Sequence, residues 1–441
     1  MQKIFLIAAA FLVACTGTPK TVEADPNWAV DGTIYELNTR QFTPEGTFKA
    51  ATAQLEKIKD LGVDIIWVMP IQPIGKKDRK GTLGSYYAIA DYTAFNPEFG
   101  TRADFEEFVA KAHSLGMKVI LDWVANHTSP DNVWAANPGW HKRDSLGQMK
   151  IQYDWYDIVE LDYENQDMRR AMIDAMLFWQ DSMGVDGFRC DMAMLVPTDF
   201  WESAVGELKA KNPNLFMLSE AEEVDLTEKA FDMHYAWDLH HTMNALTQGK
   251  IAADSLWRYF DKKNGNFPKR AYPMVFTSNH DENSHAGTEF ARMGEKGARA
   301  MAAFTYIVPG MPLIYTGQEF GSDKQLRFFD KDTILRNENA PQFKMYQDLN
   351  KLRKSNKALW SGEAGGDLVR LENDKPSQVF SAKRSVEGDE VMAVFNFSNE
   401  PVTVTVNGLT GKMKQFPMGE QVELKETMDL QPFEYKIYST L

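Results

Sequence analysis

Four apolar runs in this chain end on groups able to do chemistry. Val119-Ile120-Leu121 leads into Asp122, Asn126 and His127, and Gly187-Phe188 leads into Arg189, Cys190 and Asp191. Leu215-Phe216-Met217-Leu218 leads into Ser219 and Glu220, and Met274-Val275-Phe276 into Asn279, His280 and Asp281. Buried parallel strands read this way when their C-terminal ends converge on one site, so Asp122, Asp191, Glu220 and Asp281 become neighbours. Several carboxylates in one cleft do one of two things: bind a hard cation, or cleave a glycoside with a nucleophile and an acid. Arg189, two positions before Asp191, shares its strand face and can keep it ionised. Cys190 faces the other way and reads as packing rather than a reactive thiol.

The elements that must position these groups alternate along the chain. Strand-like segments fall at 33–42, 63–70, 118–126, 185–191, 215–221, 234–239, 272–280 and 311–319. Helical periodicity falls at 47–61, 102–115, 167–183, 198–211, 295–306 and 342–357. Eight such units predict an α/β chain folded as a (β/α)8 TIM barrel. Residues 128–163 form a Trp-, Asp-, Asn- and Pro-rich excursion after the third strand, long enough to be functional. Residues 361–441 show short alternating runs that predict a C-terminal antiparallel β-sandwich. The organisation expected is a signal peptide (1–14), a lipidated tether (15–26), the barrel in two parts (27–127 and 164–360), an insertion (128–163) and the sandwich (361–441).

Composition narrows the function. The chain has 441 residues, is 44% hydrophobic and carries a formal net charge of -14. That is enough to bury a large core, and the charge excludes nucleic acid or an anionic membrane surface as the main partner. At the N-terminus, Lys3 precedes an apolar stretch from Ile4 to Val13, too short to span a bilayer and fitting the core of an export signal. Leu12-Val13-Ala14-Cys15 resembles a bacterial lipobox, which would make Cys15 the lipidated first residue of the mature protein and anchor it to a membrane; the alternative is an ordinary signal peptide with a chance cysteine. The expected location is the cell envelope, on its periplasmic face or the cell surface.

Asp122-Trp123-Val124-Ala125-Asn126-His127, Gly187-Phe188-Arg189-Cys190-Asp191, Ser219-Glu220 and Asn279-His280-Asp281 follow one another in the order and approximate spacing of four motifs. They resemble the signature regions of the α-amylase family, glycoside hydrolase family 13. Tyr87-Ala88-Ile89-Ala90-Asp91-Tyr92 resembles that family's tyrosine segment after the second strand, and the excursion and sandwich resemble its domains B and C. The resemblance implies a retaining α-glycosidase acting on α-glucans or maltooligosaccharides. Asp191 would be the nucleophile, Glu220 the acid and base, and Asp281 a third carboxylate on the sugar. Tyr87, Asp122, His127, Arg189 and His280 would bind or position the substrate. Tyr86 competes with Tyr87, and Glu222 and Glu223 with Glu220, although strand alternation favours Glu220.

No redox or nucleotide cofactor is implied. Members of the family sometimes hold a structural calcium; Asn126 and Glu160 are the candidate oxygen ligands here, and two fall short of the roughly 6 to 8 oxygens such an ion takes. Met194-Leu195 stand where many relatives carry Lys-His, so leaving-group recognition departs from the family pattern. The same covalent intermediate would also serve a glucanotransferase or an isomerase. A non-catalytic glycan-binding lipoprotein is the remaining alternative, and it would have no use for a nucleophile and an acid together.

Overall fold

The computed structural model describes residues 28–263 and 265–440, so Cys15 and the expected signal and tether lie outside the described residues. Eight parallel strands close into a barrel: β1 (Ile34–Leu37), β2 (Ile65–Val68), β3 (Lys118–Val124), β4 (Gly187–Asp191), β5 (Phe216–Ser219), β6 (Met233–Tyr235), β7 (Tyr272–Val275) and β8 (Met311–Tyr315). Each pairs with its sequence neighbours, and β8 closes on β1. Alternation along the strands divides the apolar side chains between two cores. Ile34, Trp67, Ile120, Phe216, Leu218 and Met274 fill the barrel interior. Tyr35, Ile66, Val119, Phe188 and Cys190 belong to the layer packed under the helices, with Met176 and Trp179 of helix Gln166–Met183. Gly187 is required where it stands, because a Cβ there would meet the carbonyl oxygen of Phe216 on β5 at 2.0 Å.

Three expectations are corrected in detail. The strand predicted over 33–42 stops at Leu37, and Thr39–Phe42 is a helical turn. The strand predicted over 234–239 is Met233–Tyr235 alone. Helix Trp237–Thr247 takes over from it, burying Leu239, Met243 and Leu246 at i, i+4 and i+7. The helix predicted over 47–61 is two, Phe48–Thr52 and Leu55–Asp60. Helix Ser255–Lys263, between β6 and β7, was not anticipated.

The excursion after β3 is closed at its neck by a short antiparallel ladder in which His127 pairs with Glu160 and Thr128 with Val159. At the C-terminus, six antiparallel strands form one sheet, and Val402–Thr405 pairs with Thr427–Leu430 in a second. Met392 and Val394 of the first sheet share a core with Val404 and Leu430 of the second. This domain is locked to the barrel by the buried Arg384, whose guanidinium donates to the carbonyls of Val308 (3.2 Å) and Trp360 (2.8 Å).

Candidate active site

Register brings the chemistry together. On the paired strands β3 and β4, Asp122 lies beside Arg189 and Val124 beside Asp191. The Glu220 amide, just past β5, donates to the Cys190 carbonyl at 2.9 Å, which carries Glu220 to the level of Asp191. These strand ends open on a cavity of about 660 Å³ whose wall includes Tyr87, His127, Asp191, Glu220, His280 and Asp281.

The two catalytic candidates are held differently. Asp191 Oδ1 accepts from Arg189 Nη1 at 3.3 Å, whereas Oδ2 is buried without a hydrogen-bond partner. Glu220 Oε2 accepts from the Met192 backbone N–H at 2.9 Å. Arg189 Nη2 lies 2.9 Å from the same oxygen but is not aligned for a hydrogen bond, so that contact is one of charge. Met192 has a left-handed backbone (φ 44°, ψ 42°), a conformation that costs a β-carbon-bearing residue about 1–3 kcal/mol. That turn aims its N–H at the carboxylate.

Burial, then repulsion from Glu220, pushes the Asp191 carboxyl well above the usual range, with Arg189 opposing. Burial also raises Glu220, against Arg189 and with added repulsion from Asp281. Two carboxyls that repel one another titrate as a unit, so the pair keeps a proton to higher pH than an isolated carboxylate would.

A second network orients groups on and behind the cavity wall. Asp122 is fully buried and accepts from Trp67 Nε1 (3.0 Å), Tyr87 Oη (3.0 Å) and Arg189 Nη1 (2.9 Å). Asp122 and Arg189, named among the groups that bind or position the substrate, sit behind the cavity wall, where they position Tyr87 and Asp191. The Tyr87 ring stacks on His280 with centroids 5.3 Å apart, and its Oη lies 2.8 Å from His280 Nε2. Tyr86 turns away to donate to Asn38, which settles the competition for the cavity in favour of Tyr87. Glu222 pairs with Lys263 at 2.8 Å and is not part of the cavity wall.

Burial would lower the pKa of His280, but Asp281 and Glu36 outweigh it and raise it to about 9. A ring charged in this way donates from both nitrogens: Nδ1 to Glu36 Oε1 at 2.6 Å, and Nε2 to Tyr87, whose hydroxyl in turn donates to Asp122. His127, by contrast, is lowered by burial to about 4 and faces the cavity neutral. Cys190 is buried and its thiol is pushed well up by burial, so it is inert. Glu36 was missed, although a lone carboxylate inside the apolar strand Ile34–Leu37 was a readable signal. Trp67 and Tyr235, which accepts from Arg189 Nε at 3.1 Å, carried none.

Asn126 and Glu160 do not fit a calcium ion. Glu160 is clamped by two ammonium groups, Lys142 at 3.2 Å and Lys150 at 3.0 Å, where a divalent cation would have to sit. The Asn126 amide donates to Gln152 Oε1 at 2.6 Å. Among the described residues no group of three or more His, Cys, Asp and Glu side chains could hold a metal ion. Replacing both lysines by alanine is expected to cost about 1–2 kcal/mol, discounted because each is nearly half exposed. EDTA should leave the melting temperature of the unaltered protein unchanged; a fall reversed by added calcium would contradict this assignment.

A closed (β/α)8 barrel with a carboxylate cluster at its strand ends has the architecture of a glycoside hydrolase. The family model described as the catalytic domain of alpha amylase matches residues 23–156 and 134–340, and the chain belongs to the alpha-amylase family. Residues 381–440 match the model of the beta-galactosidase C-terminal domain. The alpha-amylase MalA of Haloarcula japonica is 31% identical over 400 residues, covering 86% of this chain and 57% of that protein. The chain thus spans little more than half the length of that curated relative. The crystal structure of an alpha-amylase from Lactobacillus plantarum superposes with a TM-score of 0.83 at 31% identity, covering 93% of this chain and 99% of that one. That of the maltogenic alpha-amylase AmyB from Thermotoga neapolitana does so with a TM-score of 0.84 at 30% identity and the same coverage.

Proposed function

We propose that this protein hydrolyses α-glucosidic bonds in α-glucans or maltooligosaccharides with retention of configuration. The observation that carries the reading is the pair of oxygens at the cavity: Asp191 Oδ2 buried and unpartnered, and Glu220 fixed across Arg189 from it. In the first step Asp191 Oδ2 attacks the anomeric carbon, while Glu220 gives its proton to the departing glycosidic oxygen. Arg189 and the positive charge developing on the sugar stabilise Asp191 as the anion. The glycosyl ester is then hydrolysed: Glu220 takes a proton from water, the hydroxyl joins the anomeric carbon and Asp191 leaves as carboxylate. Asp281 holds sugar hydroxyls, the charged His280 positions Tyr87 and Asp281 beside them, His127 offers a neutral ring and Tyr87 stacks against the sugar. The names of the relatives, amylases among them, support an α-glucan substrate.

The test is an NMR time course with maltoheptaose. The α-anomer should appear first; initial release of the β-anomer would exclude the double displacement, and longer oligosaccharides at early times would mark a transferase.

His280 sets an expected pH dependence. Its folded pKa of about 9 stands above the unfolded value near 6.5, so its stabilisation is complete below 6.5 and lost as pH rises through 9. The shift corresponds to something on the order of 3 kcal/mol. An alkaline fall in kcat/KM near pH 9 should disappear in His280→Asn; an unchanged limb would move that titration elsewhere.

We also propose that the protein is exported and held at the cell envelope through acyl chains on Cys15. The lipobox-like residues support this, and no described helix is long and apolar enough to cross a membrane. Labelling by a radioactive fatty acid, lost in Cys15→Ser, is the expected result.

A further inference from the structure

The cavity is bridged on one side. Residues 75–84, which follow β2, run as a strap between the excursion and the loop after β8. Backbone N–H groups of Lys76 and Lys77 donate to Asp131 at 2.9 and 3.1 Å, fastening one end. At the other, Thr82 donates through its N–H (2.9 Å) and hydroxyl (2.5 Å) to Asp330, and the Leu83 N–H donates to the Phe329 carbonyl at 2.9 Å. Gly81 (φ 62°) passes so close to this loop that a Cβ would meet that of Phe329 at 2.5 Å.

From the middle of the strap, Lys80 pairs with Asp157 of the excursion at 2.9 Å and lies over the rings of Tyr156 (4.8 Å) and Phe329 (5.9 Å). Asp157 is only 4% exposed. All four side chains line the cavity that holds Asp191. Asp157 is buried while Lys80 is partly exposed (20% against 5% for the two side chains), so the pair presents a donor and an acceptor to the cavity that sugar hydroxyls can match.

Which end of the substrate lies here follows from the acid. Glu220 protonates the bond's leaving oxygen, so the departing part of the chain lies on its side, where Met192 lines the cavity. The strap is continuous with Tyr87, which in the reading above stacks on the sugar that stays with Asp191: Tyr87 stacks on Phe328 (6.3 Å, 12°), Phe328 meets Phe329 at 4.9 Å, and Phe329 lies under Lys80.

Resting on the glycosidase reading above, we infer that the strap closes the cavity on its glycone side. Lys80 and Asp157 then bind the terminal hydroxyls of a non-reducing chain end. The protein acts on chain ends and releases short units, and Lys80 and Asp157 determine that specificity.

The test uses the full chain in detergent and two substrates, maltoheptaose with a free non-reducing end and maltoheptaose capped there by a 4,6-O-benzylidene group. The capped substrate should be cleaved at least about 100-fold more slowly, because the cap removes hydroxyls the site is built to bind and adds bulk against the strap. In Lys80→Ala/Asp157→Ala that ratio should shrink by about 10-fold or more. Equal cleavage of the two substrates by the unaltered protein, or an unchanged ratio in the variant, would overturn the inference. Failure to cleave even free maltoheptaose would instead overturn the glycosidase reading on which it rests.

Discussion

Asp191→Asn is expected to lower kcat/KM on maltoheptaose by on the order of 10⁴-fold or more, with the fold intact. An amide has the same shape but does not attack an anomeric carbon, so the covalent route closes. Arg189 keeps Asp122 at 2.9 Å and Glu220 at 2.9 Å as counter-charges, so the substitution does not leave the guanidinium stranded. It also removes a buried negative charge whose Oδ2 has no partner, and stability should hold or rise. Steady-state rates and thermal melts read the two effects separately. A variant that melts normally yet keeps activity within about 100-fold of the parent would show that another group forms the bond.

Glu220→Gln should have the second-largest effect, and it should depend on the leaving group. With maltoheptaose, whose departing alkoxide needs a proton, the first step should slow by about 10³-fold or more. With α-maltosyl fluoride, whose leaving group departs without a proton, it should slow far less. Glutamine still offers an oxygen to the Met192 N–H, so the left-handed turn that aims that N–H can remain. Parallel measurement of both substrates decides the matter. Equal losses on the two would assign Glu220 to binding and leave the acid unidentified.

The barrel was legible because its strands end where apolar runs meet charge. Parallel strands buried on both faces must be apolar until they emerge, and that emergence marks Asp122, Asp191, Glu220 and Asp281 in a single sequence. Alternation placed Arg189 and Asp191 on one face and Cys190 on the other, matching the interior and helix-side cores. Legibility failed where the strands are short. Three residues of β6 carry no period, and the segment after them is helical because Leu239, Met243 and Leu246 are buried together.

What the sequence did not disclose are pairings across long separations. Glu160 reads as an oxygen ligand until Lys142 and Lys150 fold back onto it, and nothing local announces that they will. Lys80 and Asp157 belong to different loops and meet only across the cavity. Asp122 reads as an anchor of the site, but the donors it holds, Trp67, Tyr87 and Arg189, lie on other elements and are not marked in the sequence around it.

The account turns on a covalent bond to one oxygen of Asp191. Incubation with a 5-fluoro-α-glycosyl fluoride, followed by proteolysis and mass spectrometry, tests it most directly, because the ring fluorine slows both steps while the good fluoride leaving group speeds only the formation of the glycosyl ester, which then accumulates. The expected result is a stoichiometric adduct on the peptide containing Asp191, absent from Asp191→Asn. An adduct on Glu220 or Asp281 would contradict the assignment, and turnover through the β-anomer with no adduct would contradict the retaining mechanism itself.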